Sequence, residues 1–376
     1  MKFNVPSKTL YNCASAVSKV INSKNALTIL NNFLFELNGN VLTITASDVE
    51  NRLVSHVEVM DAEGEGCFCV DARRIVELLK EMPDQGITFE INDDNLSVEI
   101  NYSSGNSSLI AINGNEFPAN EAESGAENAI SFTCPTEQIL KGIENTMFAV
   151  GNDELRPQMM GILWDIKPDG IVFVATDTRK LVKYTNTLSA PKAEGSFILP
   201  LKPANVIKNV FAKDDEISVH LTNKGVTFES ASYKFNCRLI KGNFPDYNRV
   251  IPTANPNEVT VDRLSFLNAV RRMAVFVDPS HGLVKFKLSD NKMELKVTDN
   301  NFCTSGHEEV PCNYAGQETI IGFSAQYLIE IANIINTDDM VIKLADPSRP
   351  GMFLPSENND YSELVVILMP MTVSDF

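Results

Sequence analysis

The chain has 376 residues, 44% hydrophobic and 22% charged, which is enough apolar material for two or three packed domains and excludes wholesale disorder. Its 32 Lys and Arg against 49 Asp and Glu give a formal net charge of -17, a balance that on its face disfavours a polyanion partner. No apolar run approaches the roughly 18 residues of a membrane span, since the longest, 364–371, is broken by Pro370, and the polar N-terminus is unlike a secretory signal.

Taken in chain order, the predicted elements repeat. Phe3-Asn4-Val5-Pro6 opens a helical stretch over 7–24, with apolar spacing Leu10, Ala14, Val17, Ile21 and Ser7 as the expected N-cap. A hairpin follows, Phe33 to Leu37 and Val41 to Ala46 across Asn38-Gly39-Asn40, running into Ser47-Asp48. A second helix is expected over 71–80, with Ile75, Leu78 and Leu79 on its apolar face, then short strands and a closing Gly114-Asn115-Glu116-Phe117-Pro118.

The same order returns from Phe132-Thr133-Cys134-Pro135: a helix over 136–145 capped by Thr136, a hairpin of Met160 to Ile166 and Ile171 to Ala175, Thr176-Asp177, and a helix over 202–213. That unit closes on Gly242-Asn243-Phe244-Pro245. From Val259 it returns again: a helix over 262–273 capped by Asp262, a hairpin of Leu283 to Leu288 and Met293 to Thr298, Asp299, a helix over 324–335, and Leu368-Met369-Pro370-Met371. Three units of about 125 residues result. Their expected bounds are 1–120, 130–251 and 257–376, with connectors near 119–129 and 252–258.

The usual signatures of phosphate cradles, nucleophile elbows and metal sites are missing, so no cofactor, metal or catalytic residue is expected. Seven cysteines (Cys13, Cys67, Cys69, Cys134, Cys237, Cys303, Cys312) show no C-x-x-C spacing, which fits a reducing cytoplasm; Cys67 and Cys69 read as packing residues. Of His56, His220, His281 and His307, only His307 has adjoining acids, and it reads as a strand-surface residue. Asp48, Asp177 and Asp299 are better read as turn-forming residues than as catalytic or metal-binding carboxylates. A carboxylate-dependent hydrolase and a monomeric acidic interaction scaffold stand as alternatives.

Charge is segregated by element. The six predicted helical segments carry a net charge of +7 and the remainder -24, a basic helical set on an acidic body. Shared by several equivalent helices, that bias points to a nucleic-acid surface.

The threefold plan, the Thr-Asp strand ends, the run Gly242-Asn243-Phe244-Pro245-Asp246-Tyr247 and the terminal Leu368-Met369-Pro370-Met371 together resemble the bacterial DNA polymerase III beta subunit family, the replicative sliding clamps. The resemblance covers essentially the whole chain. It implies an α+β clamp fold of three similar domains and a head-to-tail homodimer forming a six-domain ring, with helices inside and sheets outside. It implies no catalysis, and double-stranded DNA held without sequence preference. Lys24, Arg74, Lys202, Lys208, Arg271 and Arg272 are the expected DNA-lining residues. It also implies a groove that takes short linear motifs from the replicative polymerase, the clamp loader and repair proteins. Met159, Thr176, Lys180, Leu181, Pro245, Arg249, Val250, Ser324, Tyr327, Leu368, Met369, Pro370 and Met371 are carried over to it. Met82, Leu109 and Val275 are the expected dimer contacts.

Some positions depart from the family pattern. Lys180 replaces a guanidinium by an ammonium, which keeps a basic groove rim with different hydrogen-bond geometry. Thr372 stands where an Arg is common, and Ser374-Asp375-Phe376 extends past the usual end, with Phe376 placed to fold back near the groove.

Overall fold

The computed structural model describes residues 1–22, 24–25, 27–119, 130–188, 190–278, 282–299, 301–373 and 376. His281, most of the first connector, and Ser374 and Asp375 lie outside the described residues. The first repeat runs β1 (Lys2–Pro6), α1 (Ser7–Val17), β2 (Asn32–Asn38), β3 (Val41–Ser47), β4 (Asn51–Glu58), β5 (Met60–Glu63), β6 (Gly66–Asp71), α2 (Ala72–Lys80), β7 (Gly86–Ile91), β8 (Ser97–Tyr102), β9 (Gly105–Ile110) and β10 (Ile112–Asn113). The second runs β11 (Ile130–Pro135), α3 (Thr136–Thr146), β12 (Gly161–Lys167), β13 (Gly170–Thr176), β14 (Lys180–Asn186), β15 (Gly195–Pro200), α4 (Leu201–Val210), β16 (Glu216–Leu221), β17 (Val226–Glu229) and β18 (Tyr233–Cys237). The third runs β19 (Asn257–Asp262), α5 (Arg263–Ala274), β20 (Leu283–Ser289), β21 (Lys292–Asp299), β22 (Thr304–Asn313), β23 (Thr319–Ser324), α6 (Ala325–Ile334), β24 (Asp339–Leu344), β25 (Gly351–Pro355) and β26 (Ser362–Leu368). Apart from the short β5 and β10, each repeat is one strand and helix followed by four strands, a second helix and three strands.

Packing divides the chain differently from the repeats. One compact unit comprises Met1–Glu137 and Lys202–Leu239, the other Gln138–Leu201 and Ile240–Phe376. In the first unit, one sheet has the order β5-β1-β7-β8-β9 and another the order β10-β6-β2-β3-β4-β18-β17-β16-β11. Phe3 stacks on Phe89 at 5.0 Å and Phe35 meets Phe68 edge-on at 5.5 Å, while Leu10 and Val17 of α1 and Ile75 and Leu79 of α2 are buried. In the second unit a single sheet runs β15-β12-β13-β14-β26-β25-β24-β19-β22-β21-β20-β23. A ladder of edge-on rings, Phe266, Phe286, Phe323 and Phe353, forms its core at 5.6–5.8 Å spacing.

Two strand junctions fuse successive repeats. In the first unit β4 pairs antiparallel with β18, Asn51 opposite Cys237 and Ser55 opposite Tyr233. In the second, β14 pairs with β26, Lys180 opposite Leu368 and Asn186 opposite Ser362. Both join the third hairpin strand of one repeat to the last strand of the next.

Several local expectations change. Ser7 is not an N-cap: Pro6 takes that position without a side-chain bond, and the buried Ser7 hydroxyl donates to the Pro83 carbonyl at 2.9 Å and accepts from the Gln85 amide at 3.1 Å. Thr136 likewise begins its helix with a buried hydroxyl that has no hydrogen-bond partner. Asp262 does cap, accepting the Ser265 amide at 2.7 Å, and Asp71 caps α2 through the Arg74 amide at 2.8 Å. The first helix ends at Val17 and one 3-10 turn over Ser18–Val20, so Lys24 sits in the loop beyond it; Lys213 likewise lies past the end of α4. Cys67 and Cys69 share a face of β6 and pack with Leu30, Leu34 and Phe117, the packing role expected of them.

Candidate functional site

The repeated aspartates are consumed in their own turns. Asp48 Oδ1 accepts the amides of Glu50 at 3.1 Å and Asn51 at 2.7 Å, and Asp177 Oδ1 accepts those of Arg179 at 2.9 Å and Lys180 at 2.8 Å. Asp299 Oδ1 takes the amides of Asn301 at 2.8 Å and Phe302 at 3.2 Å. In the first two turns a neighbouring hydroxyl completes the pattern. Ser47 donates to the Asn51 carbonyl and Thr176 to the Lys180 carbonyl, holding Val49 and Thr178 at φ 84° and 76°. Carboxylates committed to backbone amides are turn formers, and the hydrolase reading loses its candidates.

All the expected groove residues belong to the second compact unit. Strand parity divides them. Leu181 pairs with Ile367 across β14 and β26 and joins an apolar cluster of Leu163, Val172, Val174, Ile198, Tyr247, Val365 and Ile367. Half-buried Ile240, Phe244, Ile251, Met352 and Leu354 pack against it. Pro245 and Met159 are half-buried, and Val250, at 44%, and Met369, at 41%, are exposed. Pro370 and Met371 are half-buried beyond the end of β26, with the Met369 amide donating to the Arg179 carbonyl and the Met371 amide to the Gly322 carbonyl, both at 2.8 Å. The Tyr247 hydroxyl donates to Asp165 at 2.7 Å; burial first and that carboxylate second push its titration well above the usual tyrosine range.

Leu368 and Lys180 belong to the other parity. Leu368 is fully buried opposite Lys180, so Ile367 and not Leu368 joins the apolar cluster. Lys180 is no rim residue. Its side chain is 5% exposed, with Nζ 2.6 Å from Glu330 Oε2, 3.7 Å from Asp177 Oδ2, 4.2 Å from the Tyr327 ring centroid and 5.3 Å from that of Phe148. Desolvation, then the Asp177 charge, raises the pKa of Tyr327. Thr176 is buried in its turn and Ser324 precedes α6 half-buried. Arg179 and Arg249 are exposed cations, the latter paired with Asp246 at 2.9 Å. Ile367, Val365, Met352, Leu354, Phe148 and Glu330 were missed in the sequence. An odd-even count along β26 separates Ile367 from Leu368, but only the register shows which face is which.

The expected DNA-lining residues differ in their freedom. In the first unit Lys24 and Arg74 are exposed, and Lys208 is half-buried on α4. Lys202 is committed to three acceptors: its ammonium donates to the Val20 carbonyl at 2.6 Å and to Asn22 Oδ1 and Asp48 Oδ2, both at 2.5 Å. That pairing ties down the segment leading to Lys24. In the second unit Arg271 is exposed and reaches Asn333 at 3.2 Å, whereas Arg272 makes a forked pair with Glu308 at 2.5–2.6 Å, holding that carboxyl below its usual range.

Of the expected dimer contacts, Met82 and Leu109 are half-buried in the first unit and Val275 is 78% exposed in the second. Beside them stand residues that the sequence reading missed: Ile110, 74% exposed at the end of β9, and Phe276 and Phe302, 40% and 73% exposed near the start of β22. Among the described residues, β9 has no partner on its outer edge, and β22 meets β19 only at Cys312 and Asn313. Glu294, His307 and Glu309 converge on the β21–β22 surface, but the Lys292 ammonium lies 2.7 Å from Glu309 and 3.4 Å from Glu294, occupying that acidic cluster with its own cation. No helix among the described residues is long and apolar enough to cross a membrane.

The chain is similar throughout its length to proteins called beta sliding clamps: one from Pseudomonas aeruginosa is 26% identical with 99% of this chain and 100% of the relative covered, and one from Vibrio cholerae is 27% identical with the same coverage. Among solved structures, a DNA polymerase sliding clamp from Pseudomonas aeruginosa superposes with a TM-score of 0.93 at 24% identity, covering 99% of this chain and all of that one. The DNA polymerase III beta subunit of Thermotoga maritima superposes with a TM-score of 0.89 at 25% identity over the same shares. Family profiles match in three successive parts: the N-terminal domain of the DNA polymerase III beta subunit over 1–121, its central domain over 133–246 and its C-terminal domain over 248–372. With nearly every residue so accounted for, the chain belongs to the DNA polymerase III beta subunit family, and its three repeats are the clamp fold.

Proposed function

We propose that the chain is the sliding clamp of a bacterial replicase, a non-catalytic cytoplasmic processivity factor that closes around duplex DNA as a head-to-tail homodimer and tethers the replicative polymerase and other replication and repair proteins. The three clamp domains are 1–120, 130–251 and 257–376. The observation that carries the reading is the repeated strand junction. In both junctions the residue opposite the turn aspartate, Asn51 or Lys180, pairs with a residue of the next repeat's last strand, Cys237 or Leu368. In the third repeat Thr304 holds that place opposite Asp299. Counted out through the hairpins from the ends of β16, β24 and β7, the residues equivalent to Cys237 and Leu368 lead to Leu109 in the first repeat.

A second copy can therefore satisfy both bare edges by repeating the same junction. Thr304 then stands opposite Leu109 of the partner subunit, and Ser305 opposite Ser108 of the partner subunit. Side-chain parity agrees, since Ser305 and Ser108 are both exposed and Thr304 and Leu109 both half-buried. The exposed Val275, Phe276 and Ile110 would be covered by such a seam, as an obligate interface requires.

The DNA surface draws on weak, sequence-independent phosphate contacts from Lys24, Arg74 and Lys208 of the first unit and Arg271 of the second, while Lys202 and Arg272 are each held in an ion pair of their own unit. Partner motifs enter over Leu181, Ile367 and Met352 between Met159, Pro245, Val250 and the Met369–Met371 segment, whose thioethers adapt to varied apolar side chains. The test is topological. Protein loaded on nicked circular DNA should stay bound and be lost quickly once the circle is linearised; equal retention on both forms would overturn the reading.

A further inference from the structure

We propose that the C-terminal residue Phe376, with Gly322 beneath the tail, positions the last wall of the partner groove. The proposal rests on the groove reading above. The wall is the segment Met369–Met371, which has left the sheet at Leu368 and has no strand of its own. Two amides fix it: Met369 to the Arg179 carbonyl and Met371 to the Gly322 carbonyl, each at 2.8 Å. The Met371 bond is an isolated bridge on the open edge of β23. A single bridge with no neighbours frays readily unless the chain beyond it is also held.

The chain beyond it is held at two further points. Val373 lies directly over Gly322: a Cβ at that glycine would come within 2.5 Å of Val373 Cγ2, 2.6 Å of Leu283 Cδ1 and 3.4 Å of the Met371 carbonyl. Strand β23 therefore has a glycine where the tail crosses it, and a side chain there would have to displace Val373 and Leu283. Farther on, the Phe376 ring receives the Lys296 ammonium of β21 at 5.5 Å from its centroid. Lys296 belongs to the face of β21 opposite the buried Leu295 and Val297, so the tail's last contact is on the sheet's outer surface. Phe376 is thus anchored at Lys296 and not at a groove residue, and its action on the groove is through Met371. Phe376 is a positioning residue that touches no partner.

The arrangement ties groove affinity to Val373 and Phe376, beyond the wall. Releasing the ring frees the Val373 contact and then the Met371 bridge, so the wall spends more time away from a bound motif. The consequence is faster dissociation with little change in association, because the apolar floor of Leu181, Ile367 and Met352 does not depend on the tail.

The experiment uses the full dimer and two independent readouts: hydrogen exchange of the Met371 amide without ligand, and dissociation of a synthetic peptide bearing the C-terminal residues of the replicative polymerase. Phe376→Ala, Lys296→Ala and a chain ending at Met371 should each speed Met371 exchange. They should also raise the peptide off-rate about two- to fivefold, the effect of losing one exposed cation–π contact. Phe376→Tyr should restore both. Wild-type exchange and off-rates in Phe376→Ala and in the shortened chain would overturn the proposal. Peptide that fails to bind even the wild type would overturn the groove reading, while the exchange of Met371 would still decide whether the tail holds the wall.

Discussion

The ammonium of Lys180 lies 2.6 Å from the carboxylate of Glu330, 150 residues away in the sequence, and faces the ring of Tyr327 at 4.2 Å. With a 5% exposed lysine, this pair links the turn of the second repeat to the second helix of the third. Removing Glu330 leaves the buried ammonium with Asp177, at 3.7 Å, and the faces of Tyr327 and Phe148. Glu330→Gln should lower the unfolding free energy by about 3 kcal/mol, whereas the paired change Lys180→Met with Glu330→Gln should be close to neutral. A double-mutant cycle by chemical denaturation reads the difference, and additive single effects would mean the pair is not coupled.

The proposed seam makes a register-specific prediction. In a Cys303→Ser background, which removes the exposed thiol nearest the seam, Ser108→Cys with Ser305→Cys should give a covalent dimer under mild oxidation. Directly opposed residues of antiparallel strands have Cα atoms about 4.5–5.5 Å apart, within disulfide reach. Shifting one cysteine to Gly306 should abolish the band on a denaturing gel, because adjacent residues face opposite sides of a strand.

The basic residues separate by function. Lys24→Ala and Arg74→Ala should each reduce the salt dependence of DNA association by about one released counterion, read as the slope of log affinity against log salt. Lys202→Met should act differently, lowering thermal stability by leaving the nearly buried Asp48 carboxylate without its cation.

Much of this was legible in the chain because it is written three times. The apolar faces of α1 and α2, the hairpins and the Thr-Asp turns depend on neighbours a few residues away, and local chemistry repeats wherever the local sequence does. What escaped depends on distant partners. Lys180 looks like a rim cation until Glu330 is brought to it, and Lys202 looks like a phosphate ligand until Val20, Asn22 and Asp48 surround it. Ile367 could not be preferred over Leu368 without the register of β14 on β26. The open edges of β9 and β22 are likewise visible only in the strand order of the described residues.

A cap offers a pH prediction. The Asp262 carboxylate accepts hydrogen bonds from Ser265, and the side-chain bond first, then the amide bond at 2.7 Å, hold its pKa below the usual carboxylate value. A depressed folded pKa means the stabilisation is complete above the unfolded carboxylate range and is lost as pH falls through the folded value. Asp262→Ala should cost about 1 kcal/mol near neutrality. Its deficit against the wild type should shrink in acid, as followed by thermal melts from pH 7 downwards.

The unit that repeats is not the unit that packs. Each compact body takes one whole repeat and part of the middle one, and the ladders from β4 to β18 and from β14 to β26 run straight across the repeat boundaries. Cutting the gene at those boundaries would tear a ladder at each end of the middle repeat, baring seven residues of β26 and five of β18 along with their partners. Bare edges invite strand addition by other chains. The middle repeat is thus a hyphen between its neighbours, stable in their company and sticky alone.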